Sequence, residues 1–172
     1  MTEIDGSAQL RTVVFLLARL ERLNDDLLTQ ACRRRGISAA EFRVLAVLRH
    51  GAAGEPVRPT TIGRWIVQST GGLTSTLKRL EQEGRVERIE DPNDGRSLLV
   101  SLTRDGADFY DALLADVEST YAAVLGDVDL EQLAEAAQSA LAAMERAGGH
   151  ADSGLAPVAL GLRSAGEVGT VG

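Results

Sequence analysis

From Thr70 to Gln82 the chain reads Thr-Gly-Gly-Leu-Thr-Ser-Thr-Leu-Lys-Arg-Leu-Glu-Gln, and its polar residues fall at helical spacing. At about 100° per residue, Leu73, Leu77 and Leu80 share one face. Gly71, Gly72, Ser75, Lys78, Arg79 and Gln82 point away from it, with Thr74 at the edge. Hydroxyl, amide and cationic groups on one helix face can hydrogen-bond to phosphates or to base edges. Ser69 or Thr70 can cap the helix, leaving its first N–H groups aimed at an anion. Gly71 and Gly72 each cost a helix about 1 kcal/mol relative to Ala. Close approach to a phosphate backbone accounts for that cost, and so does a merely relaxed helix start. A solvated polar face has the same pattern, so this helix alone leaves the choice open.

A second cluster follows. Val86–Glu90 and Leu98–Leu102 alternate as strands, and Asp91-Pro92-Asn93-Asp94-Gly95-Arg96 forms a turn between them. A long cationic side chain at a β-tip suits the minor groove, where negative potential is strong. Arg96 occupies that place, and it can equally pair with Asp94 beside it. Arg88, Asp94, Gly95, Arg96 and Ser97 complete the candidate contact set on this hairpin.

Several elements must hold these two clusters. A long amphipathic helix spans about Ala8–Arg34, with Leu10, Val13, Leu17, Leu20, Leu27 and Ala31 in one stripe that Asn24 interrupts. Val14, Leu16, Leu23 and Leu28 widen its apolar surface, so it packs on more than one neighbour. Gly36 ends it. Ser38 and Glu41 form a capping box for a second helix, Ser38–His50, whose Phe42, Leu45, Val47 and Leu48 face inward. A loop with Gly51, Gly54, Pro56 and Pro59 leads to a short helix, Thr60–Val67. Gly84 stops the polar-faced helix. After the hairpin, Thr103 starts a long helix to Leu125, with Phe109, Leu113, Val117, Tyr121 and Val124 on its inner side. Asp129 and Gln132 cap a final helix, Leu130–Ala147, with a stripe of Leu133, Ala137, Ala140, Leu141 and Met144. Residues 148–172, rich in Gly, Ala and Ser, read as a flexible tail.

The fold class is therefore mainly α with a small β-hairpin wing. It is a winged helix-turn-helix, whose second helix enters the major groove, flanked by N- and C-terminal helices, with a second subunit as one candidate neighbour for the wide apolar face of the first. Residues 1–36 are expected to form the N-terminal helix, 37–104 the DNA-binding domain and 105–147 the C-terminal helices, and the resemblance given below makes the first and last of these dimerisation helices.

Bulk composition permits this. The chain has 172 residues and is 44% hydrophobic, enough for a core without disulfides. Its net charge of −7 weighs against nucleic acid, but residues 58–104 hold eight bases against six acids, about +2. A single cysteine and no signal-like segment point to the cytoplasm. No apolar run approaches the roughly 20 residues that cross a bilayer, so no membrane partner is expected.

The spacing Leu80-Glu-x-x-Gly-x-Val-x-Arg88, then Asp91-Pro-x-Asp-x-Arg96, then Leu102-Thr-x-x-Gly106 resembles the MarR family of bacterial regulators. The resemblance covers about Ser38–Gly106, with the flanking helices fitting more loosely. It implies homodimers joined by the first and last helices, bound to near-palindromic double-stranded DNA and released by a small-molecule effector, often as repressors. Members often carry Asp-Arg-Arg at the wing tip. Here Gly95 replaces the middle Arg, while Asp94 and Arg96 remain, so the resemblance assigns Arg96 wing contact and Asp94 an orienting role.

Other chemistry finds little support. Cys32, followed by Arg33, Arg34 and Arg35, invites a thiol-based redox role that would need exposure; the ordinary reading is a packed helix cysteine. The family's hydroperoxide sensors place their cysteine near the start of the first helix, and Cys32 lies near its end. His50 and His150 are isolated, so no metal site is expected. No nucleophile–base arrangement or phosphate loop stands out, and neither an enzyme nor a bound cofactor is expected. A winged fold kept only for protein interaction, without DNA binding, is the main alternative.

Overall fold

The computed structural model describes residues 6–51, 54–66 and 70–147. Helix α1 (Gly6–Arg33) is followed by α2 (Ala39–Ala46), α3 (Pro59–Trp65) and α4 (Thr70–Gln82). Strands β1 (Val86–Asp91) and β2 (Asp94–Leu102) come next, then α5 (Arg104–Leu125) and α6 (Leu130–Ala147).

The local signals act as read. Gly36 takes a φ of 71° after α1, and Gly84 one of 68° after α4, conformations that stop a helix and favour glycine. The capping box of α2 is complete: the Glu41 N–H donates to Ser38 Oγ, and Ser38 N–H donates to Glu41 Oε2 at 2.7 Å. Thr103 Oγ1 caps α5 by accepting from Gly106 N–H at 2.9 Å. Gln132 N–H donates to Asp129 Oδ1 at the start of α6.

One core joins these elements. Ile37, Val44, Leu45, Val47, Leu48, Ile62, Leu73, Leu77, Leu80, Val86, Val100, Tyr110, Leu113 and Val117 are all buried in it. Leu28, Ala31 and Cys32 at the end of α1 join the same cluster, so the last turns of the N-terminal helix share a core with the winged unit.

Several details depart from the sequence reading. The second helix is α-helical only to Ala46, and Val47–Gly51 form a wider π-helical turn. His50, in that turn, lies edge-on to the Tyr110 ring at 5.4 Å. Helix α3 starts at Pro59, a residue that fits a first helical position; its expected end at Val67 lies outside the described residues. On α5 the buried stripe is Gly106, Tyr110, Leu113 and Val117; Phe109 and Tyr121 are partly buried and Val124 is exposed. Val124 is in phase with that stripe but lies beyond Tyr121, the last residue of α5 packed against the core. Helix α6 has no buried residue, and Leu130, Leu133, Leu141 and Met144 are exposed.

The hairpin is longer and tighter than expected. β2 begins at Asp94, and Asp91 pairs with Asp94 across a two-residue turn, Pro92-Asn93. Glu90 pairs with Leu98, so residues 95–97 bulge from β2 near the tip. Val57 adds a single antiparallel bridge to Val100, with N···O distances of 2.9 and 2.8 Å in the two directions.

Candidate nucleic-acid interface

Helix α4 buries Leu73, Thr76, Leu77 and Leu80 and exposes Gly71, Thr74, Ser75, Lys78, Arg79 and Gln82, with Gly72 between the two classes. The Thr76 hydroxyl is satisfied inside the helix by donating to the Gly72 carbonyl at 2.9 Å. A Cβ built on Gly71 would meet nothing within 4 Å, so the protein's own packing does not demand glycine there. Thr70 opens the helix, while Ser69 lies outside the described residues.

The exposed cations differ in their surroundings. Lys78 makes no ion pair among the described residues. Arg79 is held. Its Nε lies 3.1 Å from both Glu83 Oε1 and Glu41 Oε1, and its Nη2 donates to the Gly36 carbonyl at 3.2 Å. Arg88, on β1, donates through Nε to Glu81 of α4 at 3.2 Å, so it ties the wing to the polar-faced helix.

At the wing tip, Ser97 Oγ donates to Asp94 Oδ2 at 2.7 Å. Gly95 is exposed, and a Cβ there would meet nothing within 4 Å. Arg96 follows on β2, within the bulge.

Asp91, read from sequence as a turn residue, has a structural task that local pattern does not reveal. Its carboxylate is 5% exposed and accepts from Arg58 Nη2 at 2.6 Å, Arg58 Nε at 3.1 Å and Asn93 N–H at 2.9 Å. The Asn93 amide, then Arg58, hold its carboxyl below the usual carboxylate range. Arg58 immediately precedes α3, so this pair fixes the wing base to the helix-turn-helix. Neither residue could be matched from sequence, because 33 positions separate them.

The other end of the wing is fastened to α5. Thr103 N–H donates to the Arg85 carbonyl at 3.1 Å and Thr103 Oγ1 to the Gly84 carbonyl at 2.7 Å. The Arg85 guanidinium stacks on the Phe109 ring at 3.5 Å. Any movement of α5 thus acts on the junction between α4 and β1.

The redox reading of Cys32 is not supported. The thiol is fully buried, and burial pushes its pKa up to about 11 despite the opposing charge of Arg43. Thiolate reactivity needs the opposite of both properties. Among the described residues no cluster of ligating side chains could hold a metal ion, and no helix is long and apolar enough to cross a membrane. Trp65 packs partly buried against the core.

An open groove of about 570 Å³ lies between the end of α1 and the later half of α5. Arg34, Asp116, Ser119, Thr120, Ala123 and Val124 line it. Arg34 donates to the Thr120 hydroxyl, and Arg35 to Asp116 at 2.6 Å, alongside.

Comparison with known proteins agrees with this architecture. The sequence model described as MarR family matches residues 35–97. The HTH-type transcriptional regulator PecS of Dickeya dadantii is 35% identical over 91 residues, 53% of this chain and 55% of PecS. The multiple antibiotic resistance protein MarR of Escherichia coli is 36% identical over 88 residues, 51% of this chain and 59% of that protein. The matches thus span little more than half the length of these curated relatives. A crystal structure of a mutant E. coli MarR complexed with operator DNA superposes with a TM-score of 0.63 at 26% identity, covering 78% of this chain and 95% of that one. Residues 35–97 are thus similar to the MarR family segment, and the fold of the flanking helices is similar to that of the solved E. coli protein.

Proposed function

We propose that the protein is a sequence-specific transcriptional regulator that binds near-palindromic double-stranded DNA as a homodimer and acts as a ligand-responsive repressor. One observation carries the reading: α4 turns every large apolar side chain inward and presents Gly71, Thr74, Ser75, Lys78 and Gln82 outward. A helix in the major groove needs such a surface, small at its start for phosphate contact and polar along its length for base edges. Thr70, Gly72 and, beyond the described residues, Ser69 belong to the same end of the helix. Arg96, Gly95, Asp94 and Ser97 form the wing tip that would enter the adjacent minor groove. The E. coli relative solved with operator DNA supports the same use of the fold.

The homodimer is supported by α1 and α6. Leu10, Val13, Val14, Phe15, Leu16, Leu20 and Leu23 on α1 are exposed, as are Leu133, Ala137, Leu141 and Met144 of the α6 stripe. A second copy would cover them, and its twofold symmetry would match two half-sites. The groove beside Arg34, which joins α1 to α5, offers an effector a cation, hydroxyls and a small apolar floor. The reading makes the protein a non-enzyme, placed in the cytoplasm with the DNA it binds.

The test is selection of bound duplexes from a random-sequence pool, followed by anisotropy titration at two salt concentrations against a scrambled competitor. Recovery of a palindromic site, bound at least about 10³-fold tighter than scrambled DNA, upholds the proposal. A dimer that selects no sequence would move the interaction-module reading to the front.

A further inference from the structure

Glu41 is a buried carboxylate with an incomplete shell. It is 2% exposed, and its Oε2 is engaged by Ser38 N–H and by the Ser38 hydroxyl at 2.6 Å. Its Oε1 has no hydrogen-bond partner. The compensating charge at that oxygen is Arg79 Nε, 3.1 Å away, whose hydrogen is directed to Glu83 instead. A buried carboxylate without a cation is strongly disfavoured. Arg79 also reaches the Gly36 carbonyl at the turn that starts the helix-turn-helix. This one guanidinium therefore links α4 to the cap of α2 and to the end of α1.

We infer that Arg79 is a positioning residue, which sets the pose of α4 on α2 through the buried Glu41 carboxylate rather than reading DNA itself. The inference rests on the reading of α4 as the groove-facing helix. The geometry favours it because Arg79 is engaged by Glu41, Glu83 and the Gly36 carbonyl, whereas Lys78 beside it makes no ion pair among the described residues. An arginine released to a phosphate would leave Glu41 buried and uncompensated, so DNA contact and the Glu41 pair compete.

The experiment compares R79Q, E41Q, the double variant E41Q/R79Q and, as a control, K78A, in the full chain against the selected duplex. Glutamine keeps the capping-box hydrogen bonds of residue 41 and removes only its charge. R79Q should lower affinity for the selected site about tenfold while leaving the salt dependence unchanged, and E41Q/R79Q should regain most of the loss. K78A should instead flatten the salt dependence by about one unit of slope. A reduced salt slope in R79Q, with no rescue by E41Q, would identify a direct phosphate contact and overturn the inference. If the wild type selects no duplex, the functional reading falls. The same four proteins then decide the matter by chemical denaturation and amide exchange. Coupling between residues 41 and 79 with faster exchange across α4 in R79Q upholds the link, and additive effects remove it.

Discussion

Gly106 lies against the backbone of Arg85 so closely that a Cβ on it would sit 1.9 Å from the Arg85 carbonyl oxygen. That carbonyl accepts from Thr103 N–H and cannot move without breaking the junction of wing and α5. Gly106 is thus required by its neighbour and not by its own conformation. Gly106→Ala should destabilise the protein by about 3 kcal/mol, at the upper end for overpacking. Chemical denaturation measures this, and an unchanged midpoint would mean that α5 and the wing can part without cost.

Asp91 and Arg58 predict an acid dependence. The folded state holds the Asp91 carboxyl below its ordinary value, so the unfolded chain binds a proton more readily. The contribution is complete above about pH 4 and disappears as pH falls through the lower folded value. Asp91→Asn should lower stability at pH 7, the loss tempered because half of Arg58 is solvated. Its penalty relative to wild type should shrink in acid, as read by denaturation curves from pH 7 to pH 3.

Lys78 and Ser75 should separate affinity from specificity. Lys78→Ala should weaken binding to all duplexes alike, whereas Ser75→Ala should alter base preference at one position of each half-site by about 1–3 kcal/mol. Competition titrations with single-base variants of the selected site distinguish the two.

Gly95 offers a gain rather than a loss. There is open space where its side chain would be, and its backbone is not in the left-handed region. Gly95→Arg should therefore fold normally and add a cation at the wing tip. Its salt slope should steepen by about one unit. An unaltered slope would place the wing away from the DNA backbone.

Leu141 probes the proposed dimer. It sits half exposed in the middle of the α6 stripe. Leu141→Asp should leave the winged core folded and turn the dimer into monomers, which light scattering would show.

Much of this fold could be read from spacing because local rules decide it. The Ser38–Glu41 box, the Gly36 and Gly84 stops, and the Leu73–Leu77–Leu80 stripe each depend on residues within a few positions of one another. What spacing missed was settled at longer range. Phe109 and Tyr110 are neighbours on the apolar side of α5. The core buries Tyr110, because Phe42 stacks on it at 5.5 Å and His50 meets its edge, while Phe109 lies under Arg85. Asp91 reads as a turn until Arg58 is placed beside it. For the candidate site, the exposed face of α4, apart from the half-buried Gly72, was legible at Gly71 and from Thr74 to Gln82. The distinction between Lys78 and Arg79 was not, since it depends on Glu41, 38 positions upstream of Arg79.

The burial of Cys32 has a practical consequence. The chain carries one thiol, wholly enclosed and with its ionisation displaced to about 11, so the folded surface behaves as though it held no cysteine. A cysteine introduced at Gln82 or Ser97 could be labelled selectively near neutral pH without first removing the natural one. Fluorescent or spin probes on α4 and on the wing could then follow both elements as they meet a duplex, in a protein whose core is left as it is.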